Sequence, residues 1–422
     1  MSMKTMFRTL LLLAIAAAVP AFAADTALLA PTAGDLVPAV LVAPTDRDLA
    51  PGVSREPVSF SWALDPEAAL SSRPPRITST SKGYWLDVSA ADLSRGVTLD
   101  TVSAGAVVRI NPAPVEGPGT GIPAADLKAL DPSNLIVRKA GRSLRGAQAM
   151  ELLVSAEKLA EADLPFAPGT SAFRLRAELG SGAFVVAAPD LDGDAGRFVV
   201  HVQEPASSLV LSLRSNRPHY LHGQGLRVEL KLNDGGRALA ATQIRAFVLS
   251  PAGRSFPVSF RQASGGEYRG ILSLDAQERV AEGLWELQAS VVGRRGDLVV
   301  RRGGRTAFQV SLPTARLEGT ARVERPRGAL AVTMGVETAT AGRYEVRGVL
   351  YGTDASGALK PFAIGHSAAW LPAGRGDVTL RFEGELLVGS GLAAPFEIRD
   401  LRLLDQGRMG LLQRQERGLA VP

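Results

Sequence analysis

Apolar and polar residues alternate with a period of two in many short stretches separated by turns rich in glycine or proline. One stretch has apolar Trp285, Leu287 and Ala289 alternating with polar Glu286 and Gln288. Successive side chains of a strand point to opposite faces, so this alternation predicts half-buried β-strands. Seven such strands within residues 205–312 predict an immunoglobulin-like sandwich, and a further series within 313–422 predicts a second one.

Residues 56–204 show a less regular pattern, which predicts a β-rich N-terminal domain. Alternation around Phe60 and around Leu86 predicts strands. Apolar residues recur at three and four positions within 147–162, with charged residues between them, which predicts one packed helix. Residues 24–55 follow neither period and predict a flexible lead-in. The predicted fold class is therefore mainly β: this domain with its helix, followed by the two sandwiches.

The first 23 residues have the three parts of an export signal. Lys4 and Arg8 precede an apolar run over residues 10–19, and Ala21-Phe22-Ala23 forms a small-x-small cleavage site. This predicts a signal peptide over 1–23 and a secreted product, with the periplasm and the extracellular space both open. No later run approaches the roughly 20 apolar residues of a membrane-spanning helix, so we expect no transmembrane segment.

Composition excludes several kinds of chemistry. The chain has no cysteine, which rules out disulfides, thiol nucleophiles and cysteine zinc sites. Its net charge is +5, but 47 basic residues are interspersed with 42 acidic ones. No basic block with interleaved aromatic residues occurs, so we expect no nucleic-acid partner.

Three alternate aspartates, Asp190, Asp192 and Asp194, form the candidate metal site of the sequence. Carboxylates at this spacing around a glycine can converge on one hard cation, as in calcium-binding loops. The sixth and twelfth positions of the loop are Ala195 and His201 instead of the Gly and Glu of an EF-hand. An acidic hairpin turn explains the same residues, so calcium is the one cofactor hypothesis and the turn is its alternative.

Trp85 is the candidate binding residue. It lies on the face of its predicted strand opposite Tyr84, Leu86 and Val88, where an exposed indole can stack on a sugar ring. Packing in a core or between domains is the alternative explanation.

Three longer stretches together resemble a known family. They are AMELLVSAEKLAEADLPFAPGTSAFRL over 149–175, RFVVHVQEP over 197–205 and APFEIRDLRLLDQGRMGLLQRQ over 394–415. Their order and spacing are similar to those of exported proteobacterial proteins grouped as the domain of unknown function 4785 family. The resemblance implies an N-terminal mixed domain followed by two immunoglobulin-like domains. It implies no activity and no catalytic residues.

These observations favour a non-enzymatic binding or structural protein that recognises a protein or a surface glycan. Sandwich modules commonly serve as spacers or recognition surfaces, and the sequence contains none of the common catalytic motifs. Two alternatives stay open: a hydrolytic enzyme with its site in the N-terminal domain, and a structural module stabilised by calcium. The sequence indicates no oligomeric state.

Overall fold

The computed structural model describes residues 24–44, 52–70, 77–113, 129–161, 167–193, 196–274 and 283–422. The chain divides into two compact bodies. The terminal body consists of Met1–Arg73 with Pro313–Pro422, and the middle body is Pro74–Leu312. The predicted signal peptide lies outside the described residues. No helix within the described ranges is long and apolar enough to cross a membrane.

Strands dominate both bodies. In chain order they are β1 (Ala24–Ala27), β2 (Val58–Ala63), β3 (Thr78–Ser81), β4 (Gly83–Ser89), β5 (Val97–Thr101), β6 (Val107–Ala113), β7 (Ile136–Lys139), β8 (Arg142–Arg145), β9 (Met150–Val154), β10 (Ser171–Leu175), β11 (Gly182–Ala187), β12 (Arg197–Gln203), β13 (Leu209–Ser215), β14 (His219–Leu221), β15 (Gly225–Asp234), β16 (Arg237–Ala238), β17 (Ala241–Leu249), β18 (Ser255–Pro257), β19 (Phe260–Gln262), β20 (Glu267–Ser273), β21 (Trp285–Arg295), β22 (Leu298–Ser311), β23 (Ala315–Glu324), β24 (Leu330–Thr338), β25 (Gly342–Thr353), β26 (Leu359–Leu371), β27 (Gly374–Phe382), β28 (Ala393–Asp405) and β29 (Gly410–Val421).

Helices are short. The α-helices are α1 (Ala90–Arg95), α2 (Ala156–Glu161) and α3 (Gly384–Gly389). Single 3-10 turns occupy Pro132–Asn134, Gly146–Gln148, Ala177–Leu179, Ser264–Gly266 and Pro326–Gly328. The predicted fold class, mainly β with sandwich domains, is confirmed.

The middle body contains two pairs of sheets. Its N-terminal part has a sheet in the order β4-β12-β6-β10-β9 and a second in the order β5-β11-β7-β8, with a core that includes Phe173, Phe184 and Phe198. Its central part pairs the sheet β19-β20-β15-β13-β3 with the sheet β14-β22-β21-β17-β18, around Trp285 and Phe308. Nearly all pairings are antiparallel, but β14 runs parallel to β22.

Strand β3 joins the two parts of the middle body. It precedes β4 directly in the chain, yet it pairs with β13 at the edge of the central sandwich. The chain therefore leaves the central sandwich at Ser81 and enters the N-terminal sheet at Gly83. This crossover brings one end of β4 close to the central sandwich.

The terminal body is a sandwich that uses strands from both ends of the chain. One sheet has the order β1-β23-β24-β27, and the other has the order β2-β26-β25-β28-β29. The described part of residues 24–55 differs from the predicted flexible lead-in, because β1 pairs with β23 and Leu36 is buried against the chain near Arg414. The strand β2 forms as predicted but pairs with β26, not with the N-terminal domain to which residues 56–204 were assigned.

The single helix predicted near 147–162 is corrected to a strand followed by a helix. Met150–Val154 form β9, and only Ala156–Glu161 form α2. The pairing of β9 with β10 shifts register, because one extra residue lies between Glu151 and Val154, and Leu152 adopts a positive φ of 52°. Such a bulge interrupts the period of two, so the apolar spacing imitates that of a helix.

Candidate functional site

A row of three side chains crosses the outer face of the N-terminal sheet. His201 on β12 is the register partner of Trp85 on β4 and of Arg109 on β6. The alternate residues of β12, among them Phe198 and Val200, fill the core on the opposite face. Strand periodicity therefore presents the indole, the imidazole and the guanidinium together on one surface. All three side chains are half-buried.

The central sandwich supplies the other wall of a cleft over this row. Its lining residues come from β22 (Gly303, Gly304 and Arg305), from Gln288 on β21 and from the hydroxyl-rich strand β3 (Ser79, Thr80 and Ser81). The cleft has a volume of about 450 Å³. That size lies within the roughly 300–1,000 Å³ that is typical of small-molecule sites. The crossover of β3 and β4 thus places polar groups from two domains around one space.

Close packing of Trp85 against Gly303 fixes one wall. A Cβ added at Gly303 would lie 2.5 Å from Cζ3 and 2.8 Å from Cε3 of the indole. Because an aromatic ring cannot flex away as a long side chain can, only glycine permits this approach. Trp85 therefore packs between the domains, as the alternative explanation expects, and also lines the cleft; its role as a binding residue stays a prediction.

Positive charge prevails in the cleft. Its lining includes Arg109 and Arg305 and, among the described residues, no carboxylate. Burial, together with the charges of Arg109 and Arg305, lowers the pKa of His201 to about 4, so the imidazole is neutral at pH 7. Burial and the charge of Arg305 likewise lower the pKa of Arg109. Glu286 lies at the rim, with its Oε2 4.0 Å from Nη1 of Arg305.

Beside the cleft, a buried ion pair joins the two domains. Nη1 of Arg302 lies 2.6 Å from Oε2 of Glu204, and both side chains are fully buried. The same guanidinium donates from Nε to the Leu209 carbonyl at 3.0 Å and from Nη2 to Ser207 Oγ at 2.8 Å. Arg302 is thereby held to the chain on both sides of the domain boundary.

The second carboxylate oxygen of Glu204 binds the N-terminal domain. Oε1 accepts hydrogen bonds from the backbone N–H of Val102 at 2.6 Å and of Ser103 at 2.8 Å. A further ion pair, Arg301 with Asp100 at 2.6 Å, lies on the opposite face of β22. We call Glu204, Arg302, Ser207, Val102 and Ser103 the joint.

The aspartate turn lies elsewhere. Asp190 and Asp192 are exposed after β11, and Asp194 lies outside the described residues. Within the described ranges, no group of three or more histidine or acidic residues is arranged to hold a metal ion. The calcium hypothesis for Asp190, Asp192 and Asp194 stays a prediction.

No motif in the sequence marks His201, Arg109, Arg305 or Gln288 as site residues. The alternation in RFVVHVQ does place His201 opposite the buried Phe198, Val200 and Val202, which is a signal for an outward polar residue. The grouping of His201 with Trp85 and Arg109 depends on strand register, and alternation within single strands does not contain that information.

The fold and the cleft define a class: a multi-domain β-sandwich protein with a cationic, partly aromatic cleft between two of its domains. Profiles of the domain of unknown function family DUF4785 match as an N-terminal domain at residues 49–204, a central domain at 207–311 and a C-terminal domain at 314–422. The chain belongs to the DUF4785 family. No curated protein matches it.

A solved structure of another family member has the same fold. A DUF4785 family protein from Legionella pneumophila has a TM-score of 0.73 at 22% identity, covering 92% of this chain and 99% of that one. An alpha-2-macroglobulin from E. coli matches with a TM-score of 0.29 at 14% identity, covering 75% of this chain and 20% of that one. The likeness to the Legionella protein shows the fold, whereas the likeness to the alpha-2-macroglobulin is too weak to compare folds.

Proposed function

We propose that this chain is a non-enzymatic binding protein that recognises a glycan in the cleft between its N-terminal and central domains. The observation that carries the proposal is the placement of the Trp85 indole in a space of about 450 Å³ surrounded by hydrogen-bonding groups. The exported location predicted by residues 1–23 is part of the proposal, since it would give the cleft access to surface polysaccharides.

The lining matches the two needs of sugar recognition. A sugar ring has apolar C–H faces, which pack on an aromatic ring, and hydroxyls at its edge, which both donate and accept hydrogen bonds. Trp85 supplies the ring. Gln288 supplies its amide oxygen as an acceptor, since its Nε2 donates to Glu286, and the hydroxyl of Ser79 can both donate and accept.

Fixed geometry favours binding by this site. The walls are strands of two sheets, and the joint holds the two domains together with buried, charge-assisted hydrogen bonds. A preformed site loses less conformational entropy when a ligand binds. The cleft is therefore suited to a rigid ligand such as a pyranose ring.

The test is a glycan array with the full chain, followed by calorimetry on the bound glycans. We expect binding that Trp85→Ala weakens by about 10-fold or more, because aromatic anchors dominate such sites. Trp85→Phe, which retains a ring against Gly303, should keep part of the affinity and the wild-type unfolding temperature.

Trp62→Ala is the matched control. Trp62 is an exposed tryptophan of the terminal body, with 44% of its surface accessible. If Trp62→Ala abolishes glycan binding and Trp85→Ala does not, the cleft is not the site. If no glycan on the array binds the folded wild-type chain, the proposed function is wrong.

A further inference from the structure

Two guanidinium groups and a neutral imidazole face the cleft. Arg109 belongs to the N-terminal sheet and Arg305 to the central sandwich, so the positive charges lie on opposite walls. The described residues that line the cleft include no carboxylate, and Glu286 at the rim lies 4.0 Å from Nη1 of Arg305. A carboxylate forms charge-assisted hydrogen bonds with guanidinium groups, whereas a neutral sugar forms only weaker ones.

We propose that the cleft selects acidic glycans and holds a sugar carboxylate between Arg109 and Arg305. This inference rests on the proposed function, since it names the class of glycan that the same site takes. The planar fork of a guanidinium matches a carboxylate in geometry and charge, and such pairs form short, strong hydrogen bonds. A ligand that spans both arginines would also bridge the two domains.

The lowered pKa values of His201 and Arg109 support a site for a carboxylate between Arg109 and Arg305. Each is lowered partly by the charge of a neighbouring arginine, which places the three groups in one region of positive potential. An anion in the cleft would relieve the repulsion between Arg109 and Arg305. Glu286 lies at the rim, where it contacts the exposed guanidinium of Arg305 at 4.0 Å and accepts a hydrogen bond from Nε2 of Gln288.

The remaining contacts assign a role to each wall. Trp85 and His201 lie in the same register row as Arg109, so an acidic ring on the indole would direct its carboxylate along the row. Strand β3 presents its hydroxyls at the other side of the cleft, where they can bind the ring hydroxyls.

The experiment is calorimetry with the full chain and three sets of oligosaccharides: acidic trisaccharides built from glucuronic acid, galacturonic acid or sialic acid, their methyl esters, and neutral trisaccharides of glucose and galactose. We expect at least one acid to bind about 10-fold or more tightly than its ester, because hydrogen bonds to charged groups are the stronger ones. Added salt should weaken the acid more than the ester.

Variants test whether the two arginines cause the preference for the acid over its ester. Arg305→Gln should reduce the ratio of acid to ester affinity by about 10-fold without affecting folding, since 70% of that side chain is exposed. Arg109→Gln should act in the same direction. Arg237→Gln, an exposed arginine of the same body outside the cleft, should leave the ratio unchanged.

The outcomes separate the two proposals. Equal affinity for acid and ester, or a preference that survives both arginine variants, overturns the acidic-glycan inference and leaves glycan binding intact. If neither acids, esters nor neutral sugars bind, the glycan function itself fails. A sulfated trisaccharide that binds as well as the best acid through the same arginines overturns carboxylate selection in favour of anionic sugars in general.

Discussion

Arg302 and Arg305 lie three residues apart on one strand, yet they belong to different environments. Arg302 is fully buried in the joint and paired with Glu204, whereas the Arg305 side chain is 70% exposed in the cleft and lies 4.0 Å from Glu286. Side chains three apart on a strand point to opposite faces. The comparison shows that the same residue type stabilises the domain pair on one face of β22 and is available to a ligand on the other.

Removing Glu204, the acid of the joint, should have the largest effect on the free energy of unfolding. Glu204→Ala leaves the buried Arg302 guanidinium without its carboxylate and removes the acceptor of two backbone N–H groups. We expect the free energy of unfolding to fall by about 3–5 kcal/mol, measured by urea denaturation of the full chain. Glu286→Ala, which removes the half-exposed acid at the cleft rim, should cost no more than about 1 kcal/mol. Equal losses for the two variants would contradict the contrast between joint and cleft.

Adding a methyl group at Gly303, where β22 packs against Trp85, should lower the free energy of unfolding by an intermediate amount. In Gly303→Ala the new Cβ would meet the Trp85 ring at 2.5 Å, so the wall must shift. We expect a loss of about 1–3 kcal/mol, as for other overpacked sites. Gly225→Ala on β15 is the control, since a Cβ there meets nothing within 4 Å.

A double-mutant cycle tests whether Trp85 causes that loss. In a Trp85→Ala background the space is open, so Gly303→Ala should cost much less than it does in the wild type. The same cost in both backgrounds would show that the indole does not determine the packing at Gly303.

Protonation of His201 should have the smallest effect on the stability of the folded chain. Its pKa in the folded chain is about 4, below the ordinary value of 6.5, so the unfolded chain binds the extra proton between those values. Stability attributable to this group is therefore complete above about pH 6.5 and is lost as the pH falls towards 4. Acidification from about pH 7 to about pH 5 should destabilise the wild type more than His201→Gln. An NMR titration in which the His201 signals move near pH 6.5 would contradict this.

Periodicity in the sequence predicted most strands of the sandwiches but could not predict their partners. The alternation around Phe60 predicts β2 correctly, yet β2 completes a sheet with β26, some 300 positions later in the chain. Residues 24–27 carry too short a pattern to predict a strand, and their structure depends on the pairing with β23. At β9, the bulge at Leu152 disrupts the alternation, so the sequence favours a helix where the structure has a strand.

The candidate site was predicted only through Trp85. The period of two shows that Trp85 points away from the core, and the structure places its ring in the cleft and against Gly303. The two arginines that give the cleft its charge come from β6 and β22, and no spacing along the chain connects them with each other or with His201 on β12. Their signal in the sequence is a polar residue in the middle of an apolar strand, which is too common to select a site.

The sequence by itself determined the β class of this protein, its lack of disulfides and the faces on which individual side chains lie, because alternation is a local property of a strand. The tertiary structure alone decided which strands pair, because pairing depends on contacts between distant segments. It placed β3 in the central sandwich, aligned Trp85, His201 and Arg109 in one row, and buried Arg302 against Glu204 while leaving Arg305 in the cleft. Strand register and domain contact, which the chain acquires only on folding, create the charge and shape of the site.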